Sequence, residues 1–113
     1  MRAQHNSTAR QHEYAIVFAA LGDETRLTIV SKLVKGQARS ISELTEGTRL
    51  TRQAVTKHLR VLEEAGIVQN TKSGRESMFE LDMKPFKDME EYLEFVSTQW
   101  DKALSKLKAF VEE

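Results

Sequence analysis

The feature that most restricts the fold is an apolar repeat near the C-terminal end of the chain. From Phe86 to Phe110, apolar residues recur at alternating spacings of three and four residues, the heptad pattern of a helix that packs against another helix. Pro85 fits the first turn of such a helix. The members of the repeat are Phe86, Met89, Leu93, Val96, Trp100, Ala103, Leu107 and Phe110. The repeat predicts a C-terminal helix over about residues 86–111.

A helix of that length is too long to be covered by one small domain. At about 1.5 Å per residue, roughly 25 residues span about 38 Å. We therefore expect a second copy of the chain to cover the apolar side, and we predict a homodimer joined through the terminal helices. The alternative is a helix broken near Ser97 that folds back on its own core, and the sequence leaves open whether the helix is continuous. The predicted dimer interface consists of Tyr14, Val17, Phe18, Leu21, Met89, Leu93, Val96, Trp100, Leu107 and Phe110.

The composition indicates one domain without cysteine chemistry. The chain has 113 residues, 40% of them hydrophobic and 30% charged, which is ordinary for a globular domain. It contains no cysteine, which excludes disulfides and thiolate metal ligands. No apolar run is long enough to span a membrane and the N-terminal residues contain no apolar signal region. We expect a cytoplasmic protein with no membrane partner.

The N-terminal third predicts an arm and two helices. Residues 1–10 are polar without periodicity, and we expect a flexible arm there. A helix over about 11–21 ends at Gly22, and Asp23 is a suitable N-cap for a second helix over about 24–35. The second helix is expected to bury Leu27, Val30, Leu33 and Val34, with Ile29 at the edge.

The centre of the chain has the caps of a helix-turn-helix over about residues 41–65. Ser40 and Glu43 match a capping box, in which the two residues satisfy each other's backbone N–H groups. Thr51 can cap the second helix, and Gly66 suits its C-terminal end. Two helices joined by a short turn that contains glycine form a helix-turn-helix.

After the second of these helices, the apolar period changes from that of a helix to that of a strand. Two short strands over about 67–81 flank a turn around Gly74, with Phe79 and Leu81 on the same face. A helix-turn-helix followed by a β-hairpin is a winged helix. The prediction is a mainly α fold with a small β-hairpin, in which a single winged-helix domain over 11–113 dimerises through its terminal helices.

The second helix of the helix-turn-helix lies in the one clearly basic block of the chain. Although the net charge is zero, Thr48–Arg75 contains six Lys or Arg residues and two Glu residues. A basic patch is typical of proteins that bind nucleic acid. The helix begins basic and ends at Glu63 and Glu64, which suits a helix whose N-terminal part enters the major groove of DNA.

Candidate DNA-binding residues occupy the side of this helix opposite its apolar stripe. Arg, Lys, Gln and Thr side chains can pair with base edges or phosphates. Thr51 and the free N–H groups at the helix start suit a phosphate, and Lys72 and Arg75 flank the turn of the wing. His58 lies between the two sides, where it contacts a phosphate or packs at the edge. The predicted DNA-binding residues are Thr51, Arg52, Gln53, Thr56, Lys57, His58, Arg60, Lys72 and Arg75.

Between Phe18 and Asp82 the chain contains, in order, the segments FAALGDETRLTIVSKL, ISEL, LTRQAVTKHLRVLEEAGIV and GRESMFELD. These segments resemble the ArsR/SmtB family of bacterial winged-helix repressors, and the tail resembles a subgroup with a long C-terminal helix. The resemblance implies a homodimer that binds an imperfect palindrome in promoter DNA and blocks transcription. By motif position, Gln53, Thr56 and Lys57 match the base-contacting residues of the family, and the wing falls on Lys72 to Arg75.

The resemblance does not extend to the metal sites of the family. Many members release DNA when they bind a metal, but this chain has no cysteine and no histidine in its last helix. A site built from His5, His12 and Glu13 is the remaining alternative. We expect no metal and no cofactor. The effector is unknown, or the protein is a constitutive repressor.

The predicted function is that of a sequence-specific DNA-binding regulator with double-stranded DNA as its partner. The alternative is a dimeric winged-helix module that binds another protein without specific DNA binding, because a fold alone does not determine function. The chain contains no nucleophile motif, glycine-rich phosphate loop or metal-ligand cluster, so we expect no enzymatic activity.

Overall fold

The fold consists of helices with one small sheet, as the sequence predicts. A computed structural model describes residues 2–112, with the side chains of residues 2–9 and 73 outside the description. Along the chain, the elements are α1 (Arg2–Leu21), α2 (Glu24–Leu33), β1 (Arg39–Ser40), α3 (Ile41–Thr45), α4 (Arg52–Glu64), β2 (Val68–Ser73), β3 (Glu76–Leu81) and α5 (Lys84–Glu112).

The first helix begins earlier than the sequence predicts. Residues 1–10 are expected to form an arm, yet the backbone is helical from Arg2 onward, while Met1 lies outside the described residues. The predicted helix start near residue 11 relied on apolar periodicity, and the flexibility of residues 1–10 stays a prediction. The segment contains neither glycine nor proline, so nothing in it stops a helix. At the other end, Asp23 caps α2 as predicted, and its carboxylate accepts from the N–H of Arg26 at 3.0 Å.

The buried side of α2 differs from the predicted one. Leu27 and Val34 were expected inside, but they are 49% and 66% exposed. The buried residues of α2 are Ile29, Val30 and Leu33. The inward side includes Arg26, whose Nε donates to the carbonyl of Ala20 at 2.6 Å. Apolar periodicity alone assigns the charged Arg26 to the solvent side of α2, but Arg26 lies on the inward side. The buried side of α2 is therefore rotated around the helix axis relative to the predicted one.

The helix-turn-helix forms with the predicted caps. The N–H of Glu43 donates to Ser40 Oγ at 3.1 Å, and the N–H of Ser40 donates to Glu43 Oε1 at 2.9 Å. A further contact fixes the end of α3, because Lys32 Nζ donates to the carbonyls of Leu44 and Glu46 at 3.2 and 3.1 Å. The positive charge thus lies where the α3 carbonyls lack partners within the helix.

The wing is part of a three-stranded sheet rather than an isolated hairpin. The strand order is β1-β3-β2, all antiparallel, and Phe79 of β3 lies opposite both Arg39 and Asn70. β1 was not predicted because two residues are too short to show a period of two. Phe79 is 5% exposed, so the sheet is attached to the core through its central strand.

The last helix is continuous and runs out of the domain. It has 29 residues without a break near Ser97, which corresponds to about 43 Å. Near its start, the ring of Tyr92 lies 4.7 Å from that of Tyr14 and 6.2 Å from that of Phe18. Every described residue after Tyr92 is exposed.

Two residues of the predicted dimer interface belong instead to the core of the chain itself. Val17 and Met89 are 8% and 7% exposed and have little surface left for a second copy. Phe18 and Leu21 are half-buried against the same core. The core comprises Val17, Ala20, Ile29, Val30, Leu33, Leu44, Val55, Leu59, Leu62, Ile67, Val68, Phe79 and Met89.

Candidate nucleic-acid interface

The second helix of the helix-turn-helix, α4, is firmly attached to the core along one side. Thr51 Oγ1 accepts from the N–H of Ala54 at 3.0 Å and begins the helix as predicted. Val55, Leu59 and Leu62 are at most 1% exposed. Because this apolar stripe is fully buried, the opposite side of α4 faces solvent.

The exposed side of α4 carries most of the predicted DNA-binding residues together. Arg52, Gln53, Thr56, Lys57 and Arg60 line one open depression of about 300 Å³. All are exposed except Thr56, which is half-buried. The remaining lining residue is Ile41 at the start of α3, which is partly buried against the core. Guanidinium, amide and ammonium donors therefore project from one concave, partly apolar surface, as contacts with base edges require.

Thr56 has less hydrogen-bonding capacity than its residue type suggests. Its Oγ1 donates to the carbonyl of Arg52 at 2.7 Å, so the hydroxyl proton is engaged within the helix. What remains is the methyl group and the acceptor capacity of the oxygen. Thr56 is consequently suited to an apolar contact, such as one with a thymine methyl group, rather than to donating a hydrogen bond.

The wing presents its two cations at the turn of the β2–β3 hairpin. Lys72 pairs with Ser77 near the end of β2, and Arg75 lies in the turn beside Gly74, whose φ of 65° favours glycine. Both cations are exposed. Within the part of the chain that the structure describes, neither forms an ion pair with an acidic side chain. Both charges are thus available to a polyanion.

His58 faces α2 and is only partly accessible. Its Nδ1 lies 3.3 Å from Nη1 of Arg26 and 3.9 Å from Oδ2 of Asp23, and 24% of its side chain is exposed. The N–H of Arg26, followed by the charges of Arg26 and His58, holds the pKa of Asp23 below its ordinary value. Arg26, which the sequence did not single out, therefore connects α4 to α2 and α1. In the sequence, Arg26 is distinguished only by its position three residues after the capping Asp23. This spacing is too common to identify a contact with His58.

Other binding chemistry has less support in the described residues. Across residues 2–112, with the side-chain gaps noted above, no group of three His, Asp or Glu residues is arranged to hold a metal ion. None of the described helices combines the length and apolar character needed to cross a membrane.

The capped helix α4 is anchored to the core and has a polar outer side. A short helix precedes it and a β-hairpin follows it, which is the arrangement of a winged helix-turn-helix protein. The family model of the bacterial regulatory protein, arsR family, matches residues 23–70. The chain belongs to this ArsR family, as its relatives also show. Members of the ArsR family are DNA-binding transcriptional regulators and not enzymes. The family membership therefore confirms the prediction that the chain is not an enzyme.

Two curated relatives and one solved structure illustrate the similarity. The HTH-type transcriptional regulator YuzN of Bacillus subtilis is 35% identical over 79 residues, which cover 65% of this chain and 86% of YuzN. The HTH-type transcriptional repressor SmtB of Mycobacterium tuberculosis is 36% identical over 62 residues, 55% of this chain and 45% of SmtB. An ArsR-like transcriptional regulator from Rhodococcus sp. RHA1 superposes with a TM-score of 0.80 at 34% identity, covering 90% of this chain and 95% of that one. The predicted winged-helix fold is confirmed.

Proposed function

We propose that the protein is a transcriptional repressor that binds a palindromic promoter operator as a homodimer in the cytoplasm. The observation that carries the proposal is the exposed side of α4, where Arg52, Gln53, Lys57 and Arg60 share one concave surface. Gln53 and Lys57 supply contacts to base edges, and Arg52 and Arg60 supply contacts to bases or phosphates. Repression is supported by the relative SmtB, which is named a transcriptional repressor.

The wing and the start of α4 supply contacts that do not depend on sequence. Lys72 and Arg75 are exposed cations at the hairpin turn, suited to the phosphate backbone. Thr51 and the first N–H groups of α4 suit a phosphate at the helix N-terminus. Together these contacts would orient the protein on the duplex while the side chains of α4 read the bases.

The homodimer is supported by the uncovered apolar side of α5. Its exposed apolar residues on one side of the helix are Leu93, Val96, Trp100, Leu104, Leu107, Phe110 and Val111. A contiguous apolar surface of this length marks an interaction site. In a two-fold dimer, a second α5 covers this surface, with the exposed parts of Tyr14, Phe18 and Leu21 from α1 beside it. Such a dimer presents two α4 helices to half-sites one helical turn apart, about 34 Å, or a multiple of that distance.

Selection of bound fragments from random double-stranded DNA by the full chain tests the proposal. We expect an enriched inverted repeat whose half-sites are separated by a whole number of helical turns. Gln53→Ala should change the bases enriched within each half-site but not the spacing between half-sites, because spacing is set by the dimer. Absence of any enriched sequence would contradict the DNA-reading function and favour a protein-binding module.

A further inference from the structure

One polar contact joins the recognition helix α4 to the helix α2. Arg26 of α2 reaches two groups at once, because its Nε donates to the carbonyl of Ala20 and its Nη1 lies 3.3 Å from His58 Nδ1. Arginine carries donors and no acceptor, so this contact is a hydrogen bond only when His58 Nδ1 carries no proton and accepts. The contact therefore ties α4 to the end of α1 through a hydrogen bond that depends on the charge of one histidine.

We propose that Arg26 is a positioning residue for DNA recognition, and that protonation of His58 releases α4 from it and lowers sequence specificity. The proposal rests on the DNA-reading function proposed for α4. His58 follows Lys57 directly and lies on the same helix as Gln53, so a displacement of His58 against α2 moves the base-contacting side chains with it. Bidentate contacts with base edges tolerate little misalignment.

The groups around the ring determine what protonation does. The charged side chains that the described structure places against His58 are Arg26 and Asp23, both at α2. From α1, the Ala20 carbonyl approaches Arg26. Within the described residues, α3 and β2, which also pack against α4, contribute no ion pair or hydrogen bond to the ring. A protonated Nδ1 can no longer accept from Arg26 and repels its guanidinium, and its nearest acceptor becomes Asp23 Oδ2, now at 3.9 Å.

Added positive charge alone would have a different effect from a displaced helix. A protonated histidine near DNA strengthens binding to any sequence through the phosphates. Displacement of α4 instead lowers the ratio of operator affinity to nonspecific affinity. Histidine changes its charge roughly between pH 5 and 8, so this ratio can be measured on both sides of the transition.

The test is a pair of fluorescence-anisotropy titrations of the full chain, with selected operator and with scrambled duplex, at about pH 8 and about pH 6. For the parent we expect the ratio of operator affinity to nonspecific affinity to fall roughly tenfold at the lower pH. A tenfold change corresponds to the free energy of about one hydrogen bond. His58→Asn keeps an acceptor near the position of Nδ1 but cannot be protonated, so its ratio should not change between the two pH values. Arg26→Gln should show the lower ratio at both. His12→Asn, at an exposed position of α1, is the matched control and should behave like the parent.

Two results of these titrations would overturn the proposal. One is a parent ratio that does not change with pH, and the other is a His58→Asn variant that still loses specificity on acidification. If the parent prefers no DNA sequence at all, the proposed function fails, and the coupling is tested on the DNA-free chain by NMR. There, the backbone amides of Arg52–Lys57 should shift with the titration of His58 in the parent and not in His58→Asn. Amides that do not respond would overturn the coupling independently.

Discussion

Trp100 allows the proposed dimer to be tested with little disturbance of the chain's own core. Its surface is 65% exposed, so replacement by alanine leaves the buried core of the monomer intact. A large aromatic side chain buries at most about 250 Å², so its exposed share would bring roughly 160 Å² to an interface. At about 25 cal/mol per Å², this amounts to about 4 kcal/mol in each copy and about 8 kcal/mol in the dimer.

Because alanine keeps part of this area and the interface relaxes around it, we expect about half of that loss. A loss of about 4 kcal/mol raises the Kd of dimerisation about a thousandfold. Sedimentation equilibrium over a range of protein concentrations measures this Kd directly. In the same samples, operator affinity should fall steeply, since a monomer keeps only half of the phosphate contacts.

Phe95 provides the matched control. It is 61% exposed on the same helix, but it lies roughly 140° around the helix axis from Trp100 and outside the repeat. Phe95→Ala removes a comparable apolar area and should leave the Kd of dimerisation unchanged. A Trp100→Ala variant that dimerises like the parent, or a Phe95→Ala variant that dissociates equally, would refute the assignment of the interface. A parent chain that stays monomeric at high concentration would refute the dimer itself.

Three further outcomes are expected. Lys72→Ala and Arg75→Ala should weaken operator and nonspecific binding alike. In titrations at several salt concentrations, the slope of log affinity against log salt concentration should become shallower by about 1 for each phosphate that the variant no longer neutralises. A loss of affinity for operator alone would instead mean that the wing contacts bases. Asp23→Ala should lower the melting temperature more than Asp23→Asn, which retains the cap. Because the pKa of Asp23 is lowered in the folded chain, its charge stabilises the fold above the ordinary Asp pKa of about 4. This stabilisation is lost as the pH falls through the lowered pKa of the folded chain. The difference in melting temperature between the parent and Asp23→Asn should therefore vanish in acid. Zinc, cadmium, arsenite and copper should leave operator affinity unchanged in metal titrations, and a stoichiometric metal that releases DNA in a manner dependent on His5 or His12 would contradict this.

The elements that the sequence predicts correctly are those with local chemical causes. The cap at Asp23, the capping box at Ser40 and Glu43, and the cap at Thr51 each depend on residues within three positions of one another. The buried stripe of α4 follows from its strong apolar periodicity. These features position α4, so the polar side chains exposed on its opposite side could also be predicted.

The features that the sequence misses depend on contacts between distant residues. Arg26 rotates the buried side of α2 because the Ala20 carbonyl satisfies it, and Arg26 meets His58 from a position 32 residues away. β1 forms only because Arg39 and Ser40 find β3 as a partner. The repeat of α5 predicts a helix that needs a partner, but it cannot show that Met89 packs within its own chain while Trp100 does not.

Operator titration of Gln53→Ala and Lys57→Ala tests whether α4 reads DNA sequence through its exposed side. Each variant should lose roughly 1–3 kcal/mol on operator while its affinity for scrambled duplex changes much less. Gln37→Ala and Lys87→Ala replace exposed residues of matching type outside α4 and should bind as the parent does. Folded Gln53→Ala and Lys57→Ala variants that bind operator with parental affinity would show that α4 does not read the bases through these side chains.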